Sequence, residues 1–235
     1  LRVKIKKLLN ASGKNTILVT STLAGEGKST VAINLAQSLV RDGHKVLLLD
    51  ADFRSQSIAK MLEEPVCRDG LMDCLDSSRR SIKDCISLSE RHGLYYVSSQ
   101  KTDKRHYTID QRAMRRILKE LEQDFDYIVI EASGICEPAP IAQTICSYRQ
   151  MVPATSSTLQ GGLRGASIPK LDAVVTVVDA LRMRDEFVEQ LSPMTNSQLP
   201  IAKAEDLASL VIEQIEFCNV ILLNKVSMVS EEERA

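Results

Sequence analysis

Between Thr16 and Asp52 four local patterns follow one another without interruption, and together they fix most of what this chain can fold into. TILVT (16–20) is a short apolar, β-branched run and predicts a buried strand. TLAGEGKST (22–30) is a glycine-bearing turn. From Ser29 onward Val31, Ala32, Leu35, Ala36, Leu39 and Val40 fall at helical spacing, and Asp42-Gly43 stops that helix. KVLLLDAD (45–52) then predicts a second buried strand. Strand, turn, helix and strand in this order form a βαβ unit, in which the two strands run parallel.

The same alternation recurs along the chain. GLYYVSS (93–99), DYIVIEA (126–132), DAVVTVVDA (172–180) and NVILLNK (219–225) predict further strands. Met114, Ile117, Leu118 and Leu121 predict a helix over 111–123. Leu207, Leu210, Val211 and Ile215 predict another over 204–217, and a short one is expected over 137–148. Small helices are expected near 55–63 and 70–76, and residues 149–171 read as a long loop. The strand runs are continuously apolar, which suits a parallel sheet covered on both faces. The expected fold is therefore α/β: three layers, a mostly parallel central sheet with helices on both faces, as one domain over 1–235.

The turn carries the chemistry. Gly25, Glu26, Gly27, Lys28, Ser29 and Thr30 match the end of a phosphate-binding loop, with a strand before and a helix after. Backbone N–H groups and the helix dipole would face the phosphates. Lys28 would reach the β- and γ-phosphates, and the Ser29 hydroxyl would bind Mg²⁺. The standard pattern has glycine at position 22, where this chain has Thr22. Asp50, Asp52 and Glu131 close two of the strands, and a parallel sheet binds ligands beyond the carboxyl ends of its strands. Lys28, Asp50, Asp52 and Glu131 are the candidate catalytic set; Ser29, Asp50 and Glu131 are the candidate metal ligands. The alternative is that one of the three carboxylates merely caps a helix or turn. Asn224-Lys225 closes the last strand, where such a pair cradles a purine base; the alternative is a plain strand-to-loop turn.

Composition narrows the partners. A net charge of −1 gives no overall pull toward nucleic acid or an anionic membrane. No apolar run approaches the roughly 18 residues that span a bilayer, and the opening LRVKIKKLLN is basic and amphipathic rather than a secretory signal. Cys67, Cys74, Cys85, Cys136, Cys146 and Cys218 are scattered without a C-x-x-C pair and read as reduced thiols of a cytoplasmic protein.

These residues resemble the P-loop NTPases of the MinD, signal-recognition and CobW group. Residues 1–125 are similar to bacterial capsular tyrosine autokinases, through TILVTSTLAGEGKST, KVLLLDADFR and the helix before FDYIVI; YYVSSQKTDK also resembles MinD-type ATPases. Residues 126–235 resemble CobW-type GTPases, through DYIVIEASGICEPAPIAQTI, LDAVVTVVDALRMRDEF and IEQIEFCNVILLNKVSMVSEEE. The resemblance implies Mg²⁺-dependent binding and hydrolysis of ATP or GTP, with loops at Ser133-Gly134 and Gly161–Gly165 that order on nucleotide binding and contact a client protein. It also implies a homodimer, by analogy with relatives that pair across the nucleotide. The alternatives are an autokinase-like or MinD-like ATPase, and a nucleotide-binding hybrid without turnover.

Several positions depart from these families. The early P-loop lysine of MinD-type proteins is Leu23 here, as suits the kinases. Where the kinases have a tyrosine-rich tail, this sequence ends in SEEERA. CobW proteins handle Zn²⁺ or Co²⁺ through Cys-x-Cys-Cys; Cys67, Cys74 and Cys85 occupy that region without that spacing. The guanine-reading Asn-Lys-x-Asp has Ser227 in place of its aspartate. Serine cannot accept two hydrogen bonds from guanine in the same geometry, so ATP stays open beside GTP.

Overall fold

The computed structural model describes residues 1–9, 15–53, 55–65, 69–76, 80–99, 110–132, 171–188, 212 and 215–234. Seven strands form one sheet. They are β1 (Asn15–Ser21), β2 (Val46–Ala51), β3 (Ser87–Ser89), β4 (Leu94–Val97), β5 (Tyr127–Ala132), β6 (Leu171–Asp179) and β7 (Val220–Asn224). Their order is β3-β4-β2-β5-β1-β6-β7, and every neighbouring pair is parallel except β3 with β4.

Alternation along the strands divides the core in two. Leu47 and Leu49 of β2 face one side, with α4 (Leu71–Asp76) and α5 (Gln111–Leu121). Val46 and Leu48 face the other, with α1 (Arg2–Leu8), α2 (Lys28–Arg41) and α3 (Ser57–Met61). This is the three-layer α/β arrangement. The helical stripes read from the sequence are the buried ones: Ala32, Leu35, Ala36 and Leu39 on α2, and Met114, Ile117, Leu118 and Leu121 on α5. Asp110 caps α5 by accepting the Arg112 N–H at 2.8 Å.

Two features differ from the sequence reading. The edge strand β3 was not expected: it is three residues of Ser-Leu-Ser, too short and polar to carry a period. β7 is not buried on both faces. Its Val220 and Leu222 pack on the core, while Ile221 and Leu223 are exposed, as befits the strand that ends the sheet order. The predicted helix over 137–148, the loop over 149–171 except Leu171, and most of the helix over 204–217 lie outside the described residues; Leu171 opens β6 rather than closing a loop, and residues 212 and 215–217 are helical. Among the described residues no helix is long and apolar enough to cross a membrane.

Candidate functional site

The carboxyl ends of β1, β2, β5, β6 and β7 meet the turn at 22–27. Register puts Asp50 of β2 directly beside Glu131 of β5. Because that pair is parallel and in step, the two carboxylates share a level and a face. Gly25 and Gly27 take φ of +83° and +98°, a left-handed backbone that β-carbon residues rarely adopt, and Gly27 then caps α2. A β-carbon at Gly27 would collide with Asn224 Nδ2.

Lys28 extends from the first turn of α2 into the carboxylates. Its Nζ lies 2.7 Å from Asp52 and 3.6 Å from Glu131, and all three side chains are buried. Burial works to lower the Lys28 pKa, but Asp52 and Glu131 outweigh it and the net shift is upward. Ser29 donates to Glu131 and lies 2.8 Å from the Ser57 hydroxyl. Ser55 donates to Asp52 at 3.1 Å and contacts Ser57 at 3.3 Å. Lys28, Asp52, Ser55, Ser57, Ser29 and Glu131 thus close into a ring. Asp52 also accepts the Ser55 N–H at 3.3 Å, so it is the carboxylate that caps a turn, while it still pairs with Lys28. Thr30, one residue on, is exposed.

The inner carboxyls are held off their usual acidity. Burial, then the neighbouring Glu131 charge, pushes Asp50 up to about 8. Burial pushes Glu131 up to about 7 against the opposing pull of Ser29 and Lys28. Both groups are less acidic folded than unfolded, so folding favours their protonated forms. That stability is fully present below about pH 4 and is lost as pH rises through about 7 to 8. In thermal melts of metal-free protein, Tm is expected to fall between about pH 4 and pH 8, and Asp50→Asn or Glu131→Gln to flatten the fall. A parent profile that stays level or rises across that window contradicts the assignment.

Asp50 Oδ2 and Glu131 Oε2 are buried and have no hydrogen-bond partner. Two orphaned carboxylate oxygens, one on the Glu131 that Ser29 contacts and one on Asp50 in register with it, are hard donors of the kind Mg²⁺ takes, and a cation there would remove their desolvation cost. Among the described residues no group of three or more His, Cys, Asp or Glu is arranged to hold a metal by itself. Cys74 and Cys85 are buried with sulfurs 3.3 Å apart, in the core that α4 and α5 share. Cys67 lies outside the described residues.

The far end of the turn is tied to β6 and β7. The Glu26 carboxylate is buried and turned inward: it accepts the Thr22 hydroxyl at 2.7 Å, the Leu23 N–H at 2.8 Å and the Asp179 N–H at 3.4 Å. Thr22, where the standard pattern has glycine, is therefore a partner of the loop's own glutamate. Asn224 donates to the Glu26 carbonyl at 2.8 Å. Lys225 pairs with Asp179 at 2.5 Å and donates to the Gly25 carbonyl at 3.3 Å. Burial raises the Asp179 pKa, but Lys225 and the N–H groups of Leu181 and Arg182 outweigh it and the net shift is downward. Arg182 braces the Ala24 carbonyl at 3.0 Å. Asn224 and Lys225 thus hold the phosphate-type turn itself, a contact the sequence reading did not include. Ser55, Ser57 and Asp179 were also missed. For Asp179 a signal existed: it closes the TVVD strand as Asp50 closes LLLD.

Two family models match the chain. One, described as CobW/HypB/UreG, nucleotide-binding domain, covers residues 106–235. The other, described as AAA domain, covers residues 14–159. Over 113 residues the chain is 37% identical to zinc-regulated GTPase metalloprotein activator 1 of Dictyostelium discoideum, spanning 47% of this chain and 22% of that protein. Over 147 residues it is 33% identical to tyrosine-protein kinase CpsD of Streptococcus agalactiae, spanning 60% of this chain and 64% of the kinase. The chain thus spans less than two thirds of the length of either curated relative. Among solved structures, the kinase domain of Escherichia coli tyrosine kinase ETK superposes with a TM-score of 0.62 at 14% identity, over 98% of this chain and 76% of that one. At that identity the likeness shows the fold.

Proposed function

The chain belongs to the CobW/HypB/UreG nucleotide-binding family over its second half and to the AAA domain family over its first, and from that membership we propose that it is a Mg²⁺-dependent nucleoside triphosphatase acting as a CobW-type switch. The observation that carries this reading is the convergence of Lys28, Ser29, Asp50, Asp52 and Glu131 at the mouth of a glycine-shaped turn. Gly25, Gly27 and the first N–H groups of α2 would receive the phosphates, with Thr30 at their edge. Lys28 would turn from Asp52 toward the terminal phosphates. Ser29, Asp50 and Glu131 would hold Mg²⁺, which when bound neutralises the charge that builds on the transferring phosphoryl group. Asp52, freed from Lys28, or Glu131 would orient the attacking water. Asn224 and Lys225 hold the turn closed on the base side.

The relatives support one output for such a switch. The Dictyostelium protein's name ties its GTPase to zinc and to a metalloprotein client, so delivery of Zn²⁺ or Co²⁺ to a client is the output proposed for this chain, with the metal as cargo rather than resident cofactor. Nothing in Cys74 and Cys85 alone supplies a full zinc site, since structural zinc takes four ligands. Pairing of two copies across the nucleotide is proposed with it.

A second reading is an autokinase-like ATPase, favoured by the match to the streptococcal kinase. It needs accessible tyrosines. Tyr96 and Tyr127 are buried and Tyr95 packs edge-on against Phe125, which weighs against these three as acceptors.

Equilibrium titration with fluorescent ATP and GTP analogues in Mg²⁺ tests both readings. The expectation is that both nucleotides bind and that Ser227→Asp shifts the preference toward GTP by about tenfold or more, through the two hydrogen bonds a carboxylate accepts from guanine. Failure of both nucleotides to bind the folded parent defeats the proposal.

A further inference from the structure

Ser57 opens α3 immediately after Gln56, whose φ of 48° is a left-handed conformation unusual for a residue with a side chain. The helix behind it is pinned: Ile58, Ala59 and Leu62 are buried in the core shared with α2. Ser57 is therefore set by the packing of the helix it opens, and its hydroxyl meets that of Ser29 at 2.8 Å.

Proton accounting gives this contact a direction. Three hydroxyls serve four contacts: Ser29 to Glu131, Ser29 to Ser57, Ser55 to Ser57 and Ser55 to Asp52. A hydroxyl has one proton and two acceptor lone pairs. Ser29 spends its proton on the Glu131 carboxylate, and Ser55 shares its own between Asp52 and Ser57. The Ser57 proton is left for Ser29 Oγ. Ser29 then donates once and accepts once, and one lone pair remains, fixed in direction by the other two bonds. Without Ser57, a single bond to Glu131 would leave the Ser29 oxygen free to turn about it.

Resting on the nucleotide reading above, we propose that Ser57 is a positioning residue for the cation: its hydroxyl fixes Ser29 in the orientation that keeps the serine oxygen open to Mg²⁺. Partners of this kind, which bond a ligand rather than the metal, orient that ligand, and losing one costs about 10–100-fold in metal affinity or activity.

The test is a thermal-shift titration with MgCl₂ at a fixed concentration of a non-hydrolysable ATP or GTP analogue, on the parent, Ser57→Ala and Ser57→Thr, with a parallel arm in EDTA. Ser57→Ala is expected to need about tenfold more Mg²⁺ for half of the Mg²⁺-dependent rise in Tm. Its unliganded Tm and its nucleotide affinity in EDTA should match the parent's, and Ser57→Thr, which keeps the hydroxyl, should restore the Mg²⁺ response. A Ser57→Ala curve that overlays the parent's overturns the proposal. So does an equal loss of nucleotide affinity in EDTA, which would make Ser57 a nucleotide contact or a loop support. A folded parent that shows no Mg²⁺-dependent shift overturns the nucleotide reading itself, and Ser57 with it.

Discussion

Lys28→Ala is expected to bring phosphate release down to the level of a protein-free control, a loss of about 10²-fold or more, because in the proposed function Lys28 would supply a positive charge where negative charge builds in the transition state. The structure adds a second effect that a lysine on an exposed loop would not show. Lys28 lies within 4 Å of the buried Asp52 and Glu131, with Asp50 in register beside Glu131. Removing one partner of a buried ion pair costs about 3–5 kcal/mol, since the charges left behind have lost both water and counter-ion. The unliganded variant should therefore melt well below the parent at neutral pH and recover as the pH falls and the carboxyls take up protons. Lys28→Ala combined with Asp52→Asn should regain much of the stability and none of the turnover. Comparing melting curves with phosphate release for the three proteins separates the two roles. A single variant as stable as the parent at pH 8 would count against the buried ion pair, and a single variant that still turns over nucleotide would count against the enzyme reading.

Glu26→Ala is the second large effect. In a phosphate-binding loop this position is expected to offer little beyond its backbone N–H. Here the carboxylate is 1% exposed and takes bonds from Thr22, Leu23 and Asp179. Alanine leaves those donors buried and unpaired, each at a cost of about 1–3 kcal/mol where water cannot reach it. The turn should lose its fixed shape, and Mg²⁺–nucleotide affinity should drop by at least about tenfold, with a lower unliganded Tm. Glu26→Gln, which keeps one acceptor oxygen, should fall between. Calorimetric titration with melting curves measures both quantities; an alanine variant with parental affinity would show that the inward carboxylate is dispensable to the loop.

Much of this architecture can be read from the chain, and the reasons are local. TILVT, VLLLDA and YIVIEA are continuous apolar runs because those strands are buried on both faces, so burial itself writes the signal. Lys28, Asp50, Asp52 and Glu131 gather because parallel strands bring their carboxyl ends to one edge, which is a rule of topology rather than of any one contact. The rest depends on distances that no spacing encodes. Ser57 reaches Ser29 across 28 positions only because Gln56 turns left-handed. Asn224 and Lys225 reach the turn from about 200 positions away, and the pattern that names them as base readers is silent about the Glu26 and Gly25 carbonyls they hold. β3 left no trace because three residues of Ser-Leu-Ser have no period to detect.

The strand order carries a consequence for how such a molecule is born. β1 and β2 come first in the chain, yet in the sheet they are separated by β5, which pairs with both. Neither early strand can close its hydrogen-bond ladder against the other. During synthesis their unpaired edges must wait for residues 127–132 to leave the ribosome, and the central ladder then forms by insertion rather than by growth from one side. Such non-local closure is slow, and it leaves sticky apolar edges open in the meantime. Glu131 arrives on that inserted strand, so its pairing beside Asp50 and the middle of the sheet are completed in the same event, before β6 and β7 bring Asp179, Asn224 and Lys225 to the turn.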